Sequence, residues 1–123
     1  MKFAEVIQTA DWKAEKHVPA ITVPAEIKAG EFFTVQACVG KDIAHPNTLE
    51  HNIQWVQLFF KPEGGKFAIE LGKAVFTAHG ESDTFTNPCL CLNTKINTNG
   101  TFIALSYCNI HGLWEDSVEV KVL

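Results

Sequence analysis

The sequence predicts an all-β fold, an antiparallel β-sandwich of about seven to eight short strands, on three observations. The stretch Val118-Glu119-Val120-Lys121-Val122 alternates strictly between apolar and charged residues, the pattern of a strand with one buried face. Turn-forming residues recur at short intervals: Ala29-Gly30, Pro62-Glu63-Gly64-Gly65, His79-Gly80, Asn87-Pro88 and Asn97-Thr98-Asn99-Gly100. Several short segments of strand-like composition lie between these turns, a spacing typical of sandwiches.

Taken in order, residues 10–16 read as a short helix or an irregular turn. Candidate strands follow at 21–28, 32–39, 52–60, 66–71, 74–79, 90–96, 101–108 and 118–122. In 101–108, Phe102, Ala104, Ser106 and Cys108 separate from Ile103, Leu105 and Tyr107, so both faces carry apolar residues. Asn99-Gly100 is a strong hairpin signal, because both residues tolerate positive φ. There is no internal repeat, low-complexity tract or linker.

The chain has 123 residues, a length that suits one domain, 1–123, with a substantial core. Hydrophobic residues make up 46% and charged residues 20%, as in ordinary soluble domains. Every cation is a lysine, the net charge is −4 and no basic stripe is visible, which argues against a nucleic-acid partner. No apolar run approaches the ~20 residues that span a bilayer. The N-terminal stretch lacks the charged start, apolar block and cleavage site of a secretory signal, so a cytoplasmic location is expected. In that compartment the four cysteines point to metal binding or catalysis rather than to disulfides. There is no CxxC pair to build a four-cysteine zinc or iron site.

Three clusters carry the candidate chemistry. Glu15-Lys16-His17-Val18-Pro19 sets a carboxylate, an amine and an imidazole side by side. His45-Pro46-Asn47-Thr48-Leu49-Glu50-His51 places two histidines in one loop, stiffened by proline. Cys108-Asn109-Ile110-His111-Gly112-Leu113-Trp114 ends a strand in a cysteine and brings back a histidine through a glycine turn. Imidazole suits iron, zinc and copper, and a thiolate is a softer, stronger electron donor. No C-x-x-C-H haem motif is present, so side chains alone would hold any metal. Each cluster also has a bland reading. Glu15 and Lys16 may be read as an exposed charge pair, and Trp12, Trp55 and Trp114 as core or rim aromatics. His79 reads as a solvated turn residue and Cys38 as a small buried hydrophobe. Cys89 and Cys91 read as packing residues or as redox-sensitive thiols on one face, with packing favoured. Residue types and spacing thus lead to a metal site of open identity. A copper electron-transfer site would want an axial methionine, and the only one is Met1; a closed zinc site needs only four ligands.

Together, and in this order, the three motifs and Gly40-Lys41 resemble the superoxide reductases of the one-iron, neelaredoxin type, over nearly the whole chain. The resemblance implies an immunoglobulin-like sandwich with one iron at a loop-rich end. It implies His17, His45, His51 and His111 as equatorial ligands and Cys108 as axial thiolate. It implies Glu15 as a sixth ligand in the ferric state, and Lys16 as the group that attracts superoxide and helps deliver a proton. The implied reaction is one-electron reduction of superoxide to hydrogen peroxide, without dioxygen. The four-cysteine N-terminal module of two-iron relatives is not expected. An external donor such as rubredoxin and assembly as a homotetramer are implied as well.

Overall fold

The computed structural model describes all residues, 1–123. The chain forms eight strands: β1 Ile7–Gln8, β2 Pro19–Thr22, β3 Phe33–Val39, β4 Ile53–Pro62, β5 Ile69–Val75, β6 Cys89–Thr94, β7 Gly100–Cys108 and β8 Gly112–Val120. A five-stranded sheet runs β1-β8-β7-β4-β5, and a three-stranded sheet runs β2-β3-β6. The expected all-β, immunoglobulin-like sandwich is borne out. One pairing departs from it, because β1 lies parallel to β8.

The alternation seen in the sequence is the reason the sheets stack. Val35, Ala37 and Val39 of β3 point inward, as do Val56, Leu58 and Phe60 of β4 and Phe102, Ala104 and Cys108 of β7; all lie in one core cluster. Phe102 is completely buried, with Phe60 and Phe33 packed around its ring. Burial on this scale is the main favourable term for a chain of this length.

Residues 10–16 form a turn, one of the two forms expected for them, in which the Ala14 and Glu15 amides both donate to the Asp11 carbonyl. Several elements differ from the sequence reading. Segments 66–71 and 74–79 are not two strands, since β5 runs through Gly72, where the Leu92 side chain leaves room for no Cβ without adjustment. Strand β8 begins at Gly112, well before the strictly alternating stretch. The Asn99-Gly100 signal does not make a hairpin, because β6 and β7 belong to different sheets and the turn crosses between them. Gly100 is required for space, not for positive φ. A Cβ there would sit 2.4 Å from Phe60 Cζ and 2.5 Å from the Lys61 carbonyl oxygen.

The topology brings five chain ends to one pole of the sandwich. Pro19 pairs with Val39, so β2 starts where β3 ends. Ile53 pairs with Cys108, so β4 starts where β7 ends, and Cys108 pairs with Gly112 at the start of β8. A register shift between Ile53 and Trp55 bends the beginning of β4 at this same pole.

Gly100→Ala is expected to destabilise the fold by about 1–3 kcal/mol through overpacking against Phe60 and the β4 backbone. Urea unfolding of the variant beside the parent chain measures it; equal midpoints would show that the contact relaxes freely.

Candidate metal centre

All five predicted donor residues lie at the pole just described. His17 lies two residues before β2, in the loop that leads into it. His45 and His51 lie in the loop between β3 and β4. Cys108 is the last residue of β7, and His111 sits in the short turn before β8. That turn closes because Gly112 adopts φ +81°, a conformation side-chain-bearing residues rarely take.

The four imidazoles form a closed ring of neighbours. Ring centroids are 4.7 Å apart for His17 and His45, 4.7 Å for His45 and His51, 5.0 Å for His51 and His111, and 4.7 Å for His111 and His17. The diagonal from His17 to His51 is longer, 6.3 Å, as opposite corners of a square require. The donor atoms of His17, His45, His51 and Cys108 all lie within 4.8 Å of one another. His111 joins them through Nδ1, which is 3.1 Å from His17 Nε2 and 3.8 Å from Cys108 Sγ. Cys108 is fully buried and His111 is exposed, so the ring has a closed floor and an open edge.

Hydrogen bonds on the outer side of the rings decide which nitrogens face inward. His45 Nδ1 donates to the Pro46 carbonyl at 2.7 Å, which leaves the Nε2 lone pair pointing to the centre. His17 Nδ1 donates to Glu15 Oε1 at 2.7 Å with the same effect. Inside, Nε2 of His45 and Nε2 of His51 are buried with no hydrogen-bond partner. An unpartnered buried polar atom costs about 1–3 kcal/mol, so two aimed at one point mark a place built for a positive guest. Burial pushes the His45 imidazole down to about 4 and lowers that of His51; the neighbouring imidazoles and Lys16 act in the same direction. The His45 lone pair is therefore free at neutral pH. Four imidazoles and one thiol fit a borderline transition metal such as iron. The methionine of a blue-copper site is missing, since Met1 is exposed at the chain terminus.

Further side chains hold this arrangement. The Thr48 hydroxyl accepts from the His51 amide at 3.0 Å and donates to the His51 carbonyl at 3.2 Å. The Asn109 side chain accepts from the Asn52 amide at 2.9 Å and donates to the Glu50 carbonyl at 2.9 Å, tying the His51 loop to the Cys108–His111 turn. Trp114 stacks on His17, with centroids 4.9 Å apart, and donates from Nε1 to the His111 carbonyl at 3.2 Å. Sequence reasoning gave Asn109 and Trp114 no such role. Their position inside the Cys108–Trp114 cluster was the only signal.

The half-buried Glu15 carboxylate is occupied by His17, accepting from its amide as well as from Nδ1. That contact is the main cause of its lowered pKa, and Lys16 contributes to it. The sequence expectations for His79, Cys38, Cys89 and Cys91 are overturned, and with them the expectation that the cysteines form no disulfide. His79 is not a solvated turn residue, being 6% exposed, with Nδ1 bonded to Asn47 Oδ1 and Nε2 to the Phe76 carbonyl. Cys38 is not a free core thiol, because the β3–β6 register sets it against Cys89 and the two form a disulfide. Cys91 is exposed and is no packing residue either.

A β-sandwich with a histidine- and cysteine-lined metal centre at one pole is the class that this fold and geometry define. The desulfoferrodoxin family model matches residues 9–117, and the chain belongs to the desulfoferrodoxin family. It is 50% identical, over a 129-residue alignment covering 99% of each chain, to the neelaredoxin of Megalodesulfovibrio gigas. It is 46% identical to the superoxide reductase of Pyrococcus furiosus, with 96% of this chain and 98% of that relative covered. Among solved structures, the superoxide reductase (neelaredoxin) of Archaeoglobus fulgidus in the reduced form superposes with a TM-score of 0.88 at 44% identity, covering 95% of this chain and 99% of that one.

Asn109→Ala is expected to weaken metal binding about 10–100-fold, because it releases the two ligand segments from each other. Competition against a chelator of known affinity measures this. Unchanged affinity would show that Asn109 does not position the ligands.

Proposed function

We propose that this chain is a one-domain, one-iron superoxide reductase. His17, His45, His51 and His111 would hold the iron through their imidazoles and Cys108 through its thiolate. The observation that carries the reading is the square of four imidazoles, two of them with buried unpartnered Nε2 atoms, closed on one side by the buried Cys108 thiol. The relatives named superoxide reductase and neelaredoxin support the same substrate. Iron bound in this ring supplies the single electron that superoxide accepts.

The residues around the ring do the rest. The chain carries a net charge of −4, which repels an anion, so attraction must be local. Lys16 provides it, since its charge is felt at His45, at His51 and at Glu15. Hydrogen peroxide differs from superoxide by one electron and two protons, and Lys16 Nζ helps deliver a proton at the open side. Glu15 Oε1 holds the His17 Nδ1 proton and so keeps the Nε2 lone pair directed inward. Released from His17, its carboxylate would be a further donor to the iron at the open side. No dioxygen is made, because each turnover is reset by an electron from a separate donor of the rubredoxin kind. The reading includes assembly as a homotetramer. Exposed Phe67, Ile69 and Val75 on and beside the edge strand β5 support it as apolar surface suited to burial between copies.

The iron-loaded protein is expected to lack a thiolate-to-metal charge-transfer band when reduced and to gain it when a superoxide pulse oxidises it. Cys108→Ser should abolish the band, and a band that survives would refute the thiolate assignment. Lys16→Ala should slow the encounter with superoxide by about tenfold and flatten its dependence on ionic strength. Pulse radiolysis measures both, and an unchanged rate would remove Lys16 from the steering role.

A further inference from the structure

Three of the four cysteines lie away from the metal centre, on the outer face of the three-stranded sheet. Along β3 and β6 the inward positions are taken by Ala37, Val39 and Leu90, which are buried. Cys38 and Cys89 alternate with them and are half-buried on the other face; Cys91, two residues on, is exposed. Cys38 and Cys89 are directly opposed in the antiparallel register, with Cα atoms 4.1 Å apart, and are joined as a disulfide. Cys91 is set against Gln36, two pairs further along, and remains a free thiol. Strand β6 is an edge strand, so this face has no neighbouring strand beyond Cys89.

The position of the pair matters. Cys38 is the penultimate residue of β3, and the next amide, that of Val39, donates to the Pro88 carbonyl at 3.0 Å. The chain then turns at Gly40 into the loop that carries His45. The sulfur–sulfur bond therefore crosslinks the base of a ligand-bearing loop to the neighbouring strand.

We propose that Cys38 and Cys89 are a reversible redox site, a dithiol that hydrogen peroxide oxidises to the cross-strand disulfide and that an external dithiol reduces again. The source of peroxide rests on the superoxide-reductase reading, whose product it is. In the oxidising direction one thiolate of the pair attacks a peroxide oxygen; the O–O bond breaks, water leaves and a sulfenic acid forms. The facing sulfur then attacks that sulfenic sulfur, the S–O bond breaks and a second water leaves. Two thiols and one peroxide thus give one disulfide and two waters. In the reducing direction an external dithiol attacks one sulfur of the bond, and its second thiol resolves the mixed disulfide, carrying away the two electrons. The register supplies the oxidising direction, since no backbone movement is needed to bring the sulfurs together. The half-exposed edge position supplies the reducing direction, which needs room for an attacking thiol.

The test uses the full iron-loaded chain, reduced with dithiothreitol, desalted and given a small excess of hydrogen peroxide. Mass mapping of peptides under thiol-blocking conditions should find Cys38 linked to Cys89, and dithiothreitol in native buffer should remove the link. Cys91→Ser should keep both behaviours. Cys38→Ser and Cys89→Ser should each lose the link, and using both covers the case in which one fails to fold. Absence of any link after peroxide, a link to Cys91 instead, or a bond that dithiothreitol breaks only after unfolding would each overturn the proposal. Peroxide is added directly, so the result does not depend on superoxide chemistry. Appearance of the charge-transfer band when superoxide oxidises the reduced protein tests that reading separately.

Discussion

The structure depends on one constraint, the convergence of several electron-pair donors on one point away from water. Nε2 of His45 and Nε2 of His51 are buried and unpartnered, and Nε2 of His17 faces Nδ1 of His111 across 3.1 Å. The two buried, unpartnered lone pairs are poorly solvated, so the folded chain carries a local cost that a bound cation would offset. The surroundings are arranged to hold that cost in place. Glu15 and the Pro46 carbonyl fix the outer nitrogens of two rings, Thr48 and Asn109 fix the loop backbone, and Trp114 stacks on a third side.

Such an arrangement needs a rigid base, and the sandwich supplies it. Cys108 belongs both to the core cluster that joins the two sheets and to the donor set. Its thiol cannot move without disturbing Ile53, its partner across β4 and itself part of that cluster. The opposite side is a set of short loops, with His111 exposed and Lys16 half-buried. A dry, fixed thiol below and an accessible charged rim above is an arrangement suited to a small anionic substrate. The rim can steer by local charge although the whole chain is acidic.

The outer face of the smaller sheet follows a different logic. Strand alternation that sends Ala37 and Leu90 inward necessarily sends Cys38, Cys89 and Cys91 to the outer face, where Cys89 and Cys91 lie on the edge strand and Cys38 on the strand beside it. The same end of β3 thus leads into the His45 loop and carries a crosslink to β6, which places thiol chemistry one short loop away from the metal centre.

Much of this was legible in the sequence alone. Alternation and turn spacing determined the all-β class, because side-chain period and burial are coupled locally in a strand. The donor set was legible because the chemistry restricts residue types, and because His17, His45–His51 and Cys108–His111 sit in compact motifs. What the sequence did not contain was who meets whom across the fold. His79 looks like any turn histidine until the loop holding Asn47 folds over it. Asn99-Gly100 has the composition of a hairpin, but β7 pairs with β4 and β8 and not with β6, so the turn crosses between sheets and Gly100 is needed to clear Phe60. Cys38 and Cys89 are 51 residues apart, and only the β3–β6 register makes them neighbours. Local pattern determined the elements and the chemistry available. Long-range pairing, which sums small packing preferences over the whole chain, decided which lone pairs share a centre and which sulfurs share a bond.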